Sequence, residues 1–185
     1  MRYGIFDHMD QGARPLSEQY ESRLRLIEAY DRGGFHAYHL AEHHATPLGM
    51  APSPAVFLAA VAQRTKRLRF GPLVYILTLQ SPLRAYEEIC MLDQMSGGRL
   101  ELGMGKGISP IELAYFGADP AQAQSIYQEA SAIIMKGSEA WTSASIMIAS
   151  STKPRKCAAM NPSAVPIRAP IKVPPSATST LKRMA

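Results

Sequence analysis

Four helix-start signals punctuate this chain, each a capping residue followed by proline: Ser53-Pro54, Ser81-Pro82, Ser109-Pro110 and Asp119-Pro120. A Ser or Asp side chain can accept a free N–H of the first helical turn. Proline suits the first helical position, where its missing N–H costs nothing. Short β-rich runs lie at Arg2–Phe6, Ala37–Ala41, Leu68–Val74 and Leu100–Met104. Another helix begins near Ser17, with Leu16, Tyr20, Leu24 and Ile27 at helical spacing, and Gly33-Gly34 ends it. The Ser81 helix runs to Gly97-Gly98. Ser109-Pro110-Ile111-Glu112 reads as a capping box whose short helix stops at Gly117, and Asp119-Pro120 opens a helix to Gly137. This alternation predicts an α/β fold with a parallel sheet and right-handed crossovers. Periodicity leaves open whether the sheet closes into a barrel or is doubly wound.

The chain has 185 residues, enough for one domain with a real core, and its 46% hydrophobic content excludes a fully disordered chain. Its charge is divided unevenly. Residues 1–139 carry 13 Lys+Arg against 15 Asp+Glu, a net of −2, whereas residues 140–185 carry 7 against none, a net of +7. The basic balance therefore belongs to the tail, and the folded part offers no electrostatic case for nucleic acid. No apolar run is long enough to span a bilayer, and no export signal follows Met1. A cytoplasmic chain with reduced thiols at Cys90 and Cys157 is the expectation, with Cys90 a buried small hydrophobe. Beyond Ser143 the apolar periodicity stops, six prolines are scattered and glycine is absent. Residues 144–185 read either as a disordered basic Pro/Ser-rich extension or as the product of a slipped reading frame.

In parallel α/β folds ligands bind at the carboxyl ends of the strands. There the four strands end in Asp7-His8, Glu42-His43-His44, Gly71-Pro72-Leu73-Val74-Tyr75 and Gly103-Met104-Gly105-Lys106-Gly107. Neighbouring residues of an extended strand face opposite ways, so His43 and His44 make a poor pair for one metal ion, and no metal is expected. A capping or carboxylate-bonded histidine and a general acid/base both remain open. The Gly103–Gly107 segment precedes a helix start and carries Lys106, a pattern suited to phosphate. Lys66, Arg67 and Arg69 read as a solvated basic face, and Met91 and Met95 as core.

Three segments resemble one family. Ala41-Glu42-His43-His44, Leu92-Asp93-Gln94-Met95-Ser96-Gly97-Gly98-Arg99 and Leu102–Gly107 are similar in sequence and spacing to bacterial-luciferase-like monooxygenases, over residues 2–143. The resemblance implies a (β/α)8 TIM barrel, here strands 1–4 with their helices followed by an irregular tail. It implies reduced FMN, or less commonly a deazaflavin, at the carboxyl ends of the strands, and oxidation of a small aldehyde-like substrate with O2. By position, His43 corresponds to the acid/base histidine, with Glu42 and His44 beside it as catalytic candidates. Lys106 corresponds to the residue that meets the flavin phosphate, and Leu73, Val74, Gly103, Gly105 and Gly107 to further cofactor contacts. A non-prolyl cis peptide is implied at Leu73–Val74. Gly105 stands where the luciferase subunit has a cysteine, which removes the ground for inferring light emission.

A complete barrel takes about 250 residues, so this chain is expected to be a truncated N-terminal half, with activity impaired to match. The partners implied are a small substrate, O2, a separate flavin reductase and a second copy of the chain, without nucleic acid or membrane. The competing reading is a non-catalytic flavin-binding or subunit-association module.

Overall fold

The computed structural model describes residues 1–140. The residues assigned above to a disordered or frame-shifted tail, 144–185, lie outside the described residues. Strand β1 (Gly4–Asp7), helix α1 (Leu16–Arg32), strand β2 (Ala37–Leu40), helix α2 (Pro54–Arg64) and strand β3 (Arg69–Pro72) alternate as the helix-start signals predict. Strand β4 (Tyr75–Ile76), one 3-10 turn (Leu77–Leu79), helix α3 (Pro82–Ser96), strand β5 (Met104–Gly105), helix α4 (Pro110–Tyr115) and helix α5 (Ala123–Ala140) follow.

The pairing is parallel throughout. Gly4 lies opposite Ala37 and Asp7 opposite Leu40; Ala37 in turn faces Arg69, and Leu40 faces Pro72. The predicted fourth strand continues this order in a broken form. Phe70 N–H donates to the Arg99 carbonyl (3.2 Å), Glu101 N–H to Phe70 (2.8 Å) and Gly103 N–H to Pro72 (3.1 Å). Regular pairing resumes where β4 meets β5, Tyr75 opposite Met104. Pro72 has no N–H to offer the ladder, and the Leu73–Val74 peptide is cis, at the position the resemblance implied. Strand order thus follows chain order. The helices pack in the same sequence, α1 on α2, α2 on α3 and α3 on α5. A doubly wound sheet reverses its strand order; among the described residues no reversal occurs.

Side chains alternate across the strands with a period of two. Tyr38, Leu40, Phe70 and Leu100 face the helices and are buried against Ile27, Leu58, Val61 and Ile89. Each such aliphatic burial contributes roughly 1.5–3 kcal/mol. The opposite face carries Phe6, His39, Gly71 and Glu101. There Arg69 pairs with Glu101, and His39 Nε2 lies 3.2 Å from the same carboxylate. Gly71 is obligatory, because a Cβ there would fall 1.5 Å from the Glu101 carbonyl oxygen.

Two side chains clamp the layers together. The Asp31 carboxylate, at the end of α1, accepts the backbone N–H groups of Lys66, Arg67 and Leu68 at 2.9, 2.9 and 2.6 Å. Burial raises its pKa, but those three donors and Arg67 outweigh burial and leave it below the usual carboxylate value. Arg99, the last residue of the Leu92–Arg99 segment, reaches back to the end of α2. Its guanidinium donates to the carbonyls of Ala62, Thr65, Leu68 and Ser96 and to the Thr65 hydroxyl.

Several local expectations are corrected. Asp119-Pro120 opens a turn, with Asp119 Oδ1 accepting the Ala121 N–H, and α5 starts later at Ala123. Ser53 and Ser81 make no side-chain cap bond, whereas Ser109, also followed by proline, does. Arg69 belongs to no solvated basic face, since it pairs with Glu101 on the face of the sheet opposite the helices. Arg67 donates instead to the Asp31 carbonyl at the end of α1. Met91 and Met95 are 60% and 44% exposed, so neither is core: α3 buries Ile89, Cys90 and Leu92 and leaves the methionines on its outer side.

Candidate functional site

The carboxyl ends of the strands gather three histidines and two buried glutamates. Glu42 follows β2, which is held by Ala41 N–H donating to Asp7 (2.9 Å). Its Oε2 accepts the Ile76 N–H at 3.0 Å, tying β2 to β4, and its Oε1 lies 2.9 Å from His44 Nε2. Glu112, from the first turn of α4, is 4% exposed. Its Oε1 accepts the His44 backbone N–H at 2.9 Å and stands 3.2 Å from His43 Nδ1. The two adjacent histidines therefore address different carboxylates, as their opposite directions along an extended chain require.

His43 is held on three sides. Glu112 meets Nδ1, the His8 ring stacks on its face (centroids 5.4 Å apart, planes 9° from parallel), and Gly49 lies behind Cβ. A Cβ on Gly49 would come 2.5 Å from His43 Cβ, so only glycine fits there. Among the described residues His43 Nε2 makes no hydrogen bond. His44 packs edge-on against Phe116, centroids 4.6 Å apart. Met9 and Ala45, each one residue past a site histidine, adopt left-handed φ of 55° and 53°. This conformation costs a non-glycine residue about 1–2 kcal/mol, and it turns the chain back to bring Met9 O onto Met50 N–H (2.9 Å).

Asp7 also stands on this rim, but its carboxylate is taken. Oδ1 accepts the Met9 N–H at 2.9 Å, and Oδ2 accepts the Tyr38 hydroxyl at 2.7 Å and faces Arg23 at 3.2 Å. Burial, followed by the Asp7 charge, holds the Tyr38 phenol well above its usual pKa.

The glycine-rich segment has a different basis from the one its pattern suggests. A Cβ on Gly105 would meet Val74 Cγ2 at 2.5 Å. Gly107 has φ of 72° and lies against Ile76. Gly103 would strike the Pro72 carbonyl at 2.8 Å. All three are demanded by close packing on Pro72–Ile76. The helix that follows has six residues, its Glu112 N–H already bonds Ser109 Oγ, and its first turn carries the Glu112 carboxylate. It is no seat for an anion, which corrects one half of the phosphate argument. Lys106 itself is exposed, its carbonyl accepts the Thr78 hydroxyl at 2.7 Å, and its ammonium makes no ion pair among the described residues.

Of the residues singled out from sequence, Glu42, His43 and His44 come together, while Leu73, Val74, Gly103, Gly105, Lys106 and Gly107 form the neighbouring strand ends. Glu112 is not legible as a site residue, because Ser-Pro-Ile-Glu spacing reads as a capping box. Half of that box forms. The Glu112 carboxylate turns to the histidines instead of returning to Ser109, and no local signal reports this.

The model of the luciferase-like monooxygenase family matches residues 1–173. The chain belongs to this family. The match runs past Ser143, where the motif-level resemblance ends. A Sinorhizobium fredii relative, the uncharacterized protein y4wF, is 59% identical over 136 residues, which cover 74% of this chain and 40% of the relative. The oxygenase component of a flavin-dependent trigonelline monooxygenase from Acinetobacter baylyi is 32% identical over 60% of this chain and 32% of its own. Among solved structures, the oxygenating constituent of 3,6-diketocamphane monooxygenase from Pseudomonas putida, in complex with FMN, superposes with a TM-score of 0.69. It is 24% identical and covers 76% of this chain and 39% of its own, a likeness of fold. The chain thus spans less than half the length of the relatives it matches. Among the described residues, no helix of this family member is long and apolar enough to cross a membrane.

Proposed function

We propose that this chain carries the first four strands of a (β/α)8 barrel and, on their carboxyl ends, part of the site of an FMN-dependent monooxygenase. The reaction would use O2 and reduced flavin to oxidise a small aldehyde-like substrate. The observation that carries this reading is His43. Its ring is fixed by Glu112, His8 and Gly49, yet its Nε2 has no partner among the described residues. A ring fixed in place with one nitrogen left available can exchange a proton with a bound reactant.

The residues present fit FMN. Lys106 offers an uncompensated cation to the phosphate. The strand ends at Leu73–Val74 and Gly103–Gly107, tied to the Glu42 turn through the Ile76 N–H, would border the flavin. Bound reduced flavin supplies the electrons and the reaction with O2. His43 holds or moves a proton at Nε2, Glu42 joins the β2 and β4 ends that border the ring, and His44 braces the turn between them. Sequential strand order favours the barrel over a doubly wound sheet. The wording "oxygenase component" for the trigonelline relative favours a separate reductase for this chain as well. A second copy of the chain is the proposed assembly partner, and the cell interior the proposed location.

Titration with photoreduced FMN under anaerobic conditions, followed by O2 and a panel of aldehydes, tests the reading. His43→Ala should keep flavin affinity and lower turnover by about 10²–10⁴. Lys106→Ala should weaken FMN about tenfold and leave riboflavin unchanged, because riboflavin has no phosphate. Absence of flavin binding refutes the proposal. Binding without turnover in the parent chain points instead to a non-catalytic flavin-binding module.

A further inference from the structure

Glu112 has no part in the reading above beyond holding His43 still, and its geometry assigns it more. We propose that Glu112 is a positioning residue that selects the proton arrangement of His43, keeping its proton on Nδ1 and its lone pair on Nε2; this rests on His43 being the acid/base.

Glu112 Oε1 accepts the His44 backbone N–H at 2.9 Å, and as a carboxylate it offers His43 lone pairs only. At 3.2 Å the bond to His43 must then run from Nδ1–H to the carboxylate. Neutral His43 is thereby held as the Nδ1–H tautomer, opposite to the one an isolated histidine side chain favours in water. Nε2, bare among the described residues, becomes the proton acceptor. The arrangement is rigid because one oxygen serves both groups. The His44 N–H fixes Glu112 to the turn that carries His43, and burial at 4% exposure keeps water from replacing either bond. A carboxylate that fixes an imidazole tautomer is a recognised device of acid/base catalysis, worth more than its hydrogen bond alone because the wrong tautomer presents a proton where a lone pair is needed.

The same arrangement explains why the two glutamates are not interchangeable. Glu42 addresses His44 through Nε2, and it spends its second oxygen on the Ile76 N–H. Glu42 therefore joins strands, and Glu112 orients the ring that faces the site.

The test needs no bound flavin. Full-length protein labelled with 15N in its histidine rings is examined by long-range 1H–15N correlation at alkaline pH, with His43 assigned by its loss in His43→Ala. The expected result is a protonated Nδ1 and an unprotonated Nε2 in the parent chain, moving towards the Nε2–H form in Glu112→Ala. An Nε2–H tautomer in the parent chain overturns the proposal. So does an unchanged tautomer in a Glu112→Ala variant with native circular dichroism. Should Glu112→Ala fail to fold, the parent tautomer decides alone. In the flavin-loaded protein, Glu112→Ala should lower kcat about a hundredfold with flavin affinity unchanged, and Glu112→Asp should restore part of it. If flavin does not bind at all, the functional reading fails while the tautomer measurement still judges Glu112.

Discussion

Replacing Arg99 with lysine should destabilise the protein by about 2–3 kcal/mol, although charge and length are nearly conserved. The guanidinium spends all five of its N–H donors. Nε–H meets the Ser96 carbonyl at 2.9 Å, Nη1 meets Thr65 Oγ1 and Leu68 O at 2.8 and 2.7 Å, and Nη2 meets Ala62 O and Thr65 O at 2.8 and 3.2 Å. Two of those acceptors, the Ala62 and Thr65 carbonyls, lie at the end of α2, where a helix leaves its last carbonyls without internal partners. An ammonium has three donors and no planar fork, so at least two acceptors lose their partner. Each loss costs about 1–1.5 kcal/mol net. Arg99 is only part-buried, so water can reach some of the vacated acceptors, which keeps the figure near the lower end. Arg99→Ala removes every bond together with the stacking over Phe70 (5.3 Å), and should cost about 4 kcal/mol. Urea unfolding followed by circular dichroism measures both, with a lower midpoint at unchanged slope as the expected signature. Coupling to Thr65→Ala should exceed about 0.5 kcal/mol, since Thr65 offers Arg99 both its hydroxyl and its carbonyl. A lysine variant within about 0.5 kcal/mol of the parent would refute the claim that fork geometry, and not charge, holds the α2 end.

Asp31→Asn should cost about 1–2 kcal/mol by weakening three backbone acceptor bonds. Because the folded pKa of Asp31 is lowered, its contribution is present above the ordinary carboxylate value of 3.8 and lost as pH falls through the folded value, so urea midpoints of the variant should decline less below about pH 4 than those of the parent. Tyr38 and Tyr75 are both held above the usual phenol pKa, first by burial and then by Asp7 and Glu88 respectively. Raised folded values contribute stability below about pH 10 and lose it at higher pH. Ultraviolet titration should therefore show Tyr38 and Tyr75 ionising only with alkaline unfolding; their ionisation in the folded protein near pH 10 contradicts the packing described. Gly49→Ala should leave the fold intact but displace His43, visible as a change in its ring NMR signals; an unchanged ring would remove Gly49 from the site.

The Leu92–Arg99 segment is the most family-specific run in the chain, and specificity of that kind invites a catalytic reading. In the structure its distinctive parts are mechanical: Gly97 takes a left-handed φ of 68° to end α3, and Arg99 ties that end to α2. The glycines after the fourth strand teach the same lesson. Gly105 and Gly107 follow a phosphate-loop pattern, yet their lack of a side chain is required by Val74 and Ile76. A pattern records which residue is needed and is silent about which neighbour needs it.

Alternation of strand and helix, the positions of most helix starts, the family and the rim that carries the candidate site were all determined by the sequence. These follow from local rules: periodicity, proline and glycine geometry, and contiguous motifs that act within a turn or two. Tertiary structure alone decided that strands pair in chain order, that Asp31 ties α1 to the segment after α2 and Arg99 ties α3 to α2, and that the Glu112 carboxylate turns from its cap to His43 and His44. The last two residues lie 69 and 68 positions from Glu112. A carboxylate near its own helix start has two uses of similar energy. Choosing between them depends on which donors the fold brings within hydrogen-bonding distance, and no local pattern contains that distance.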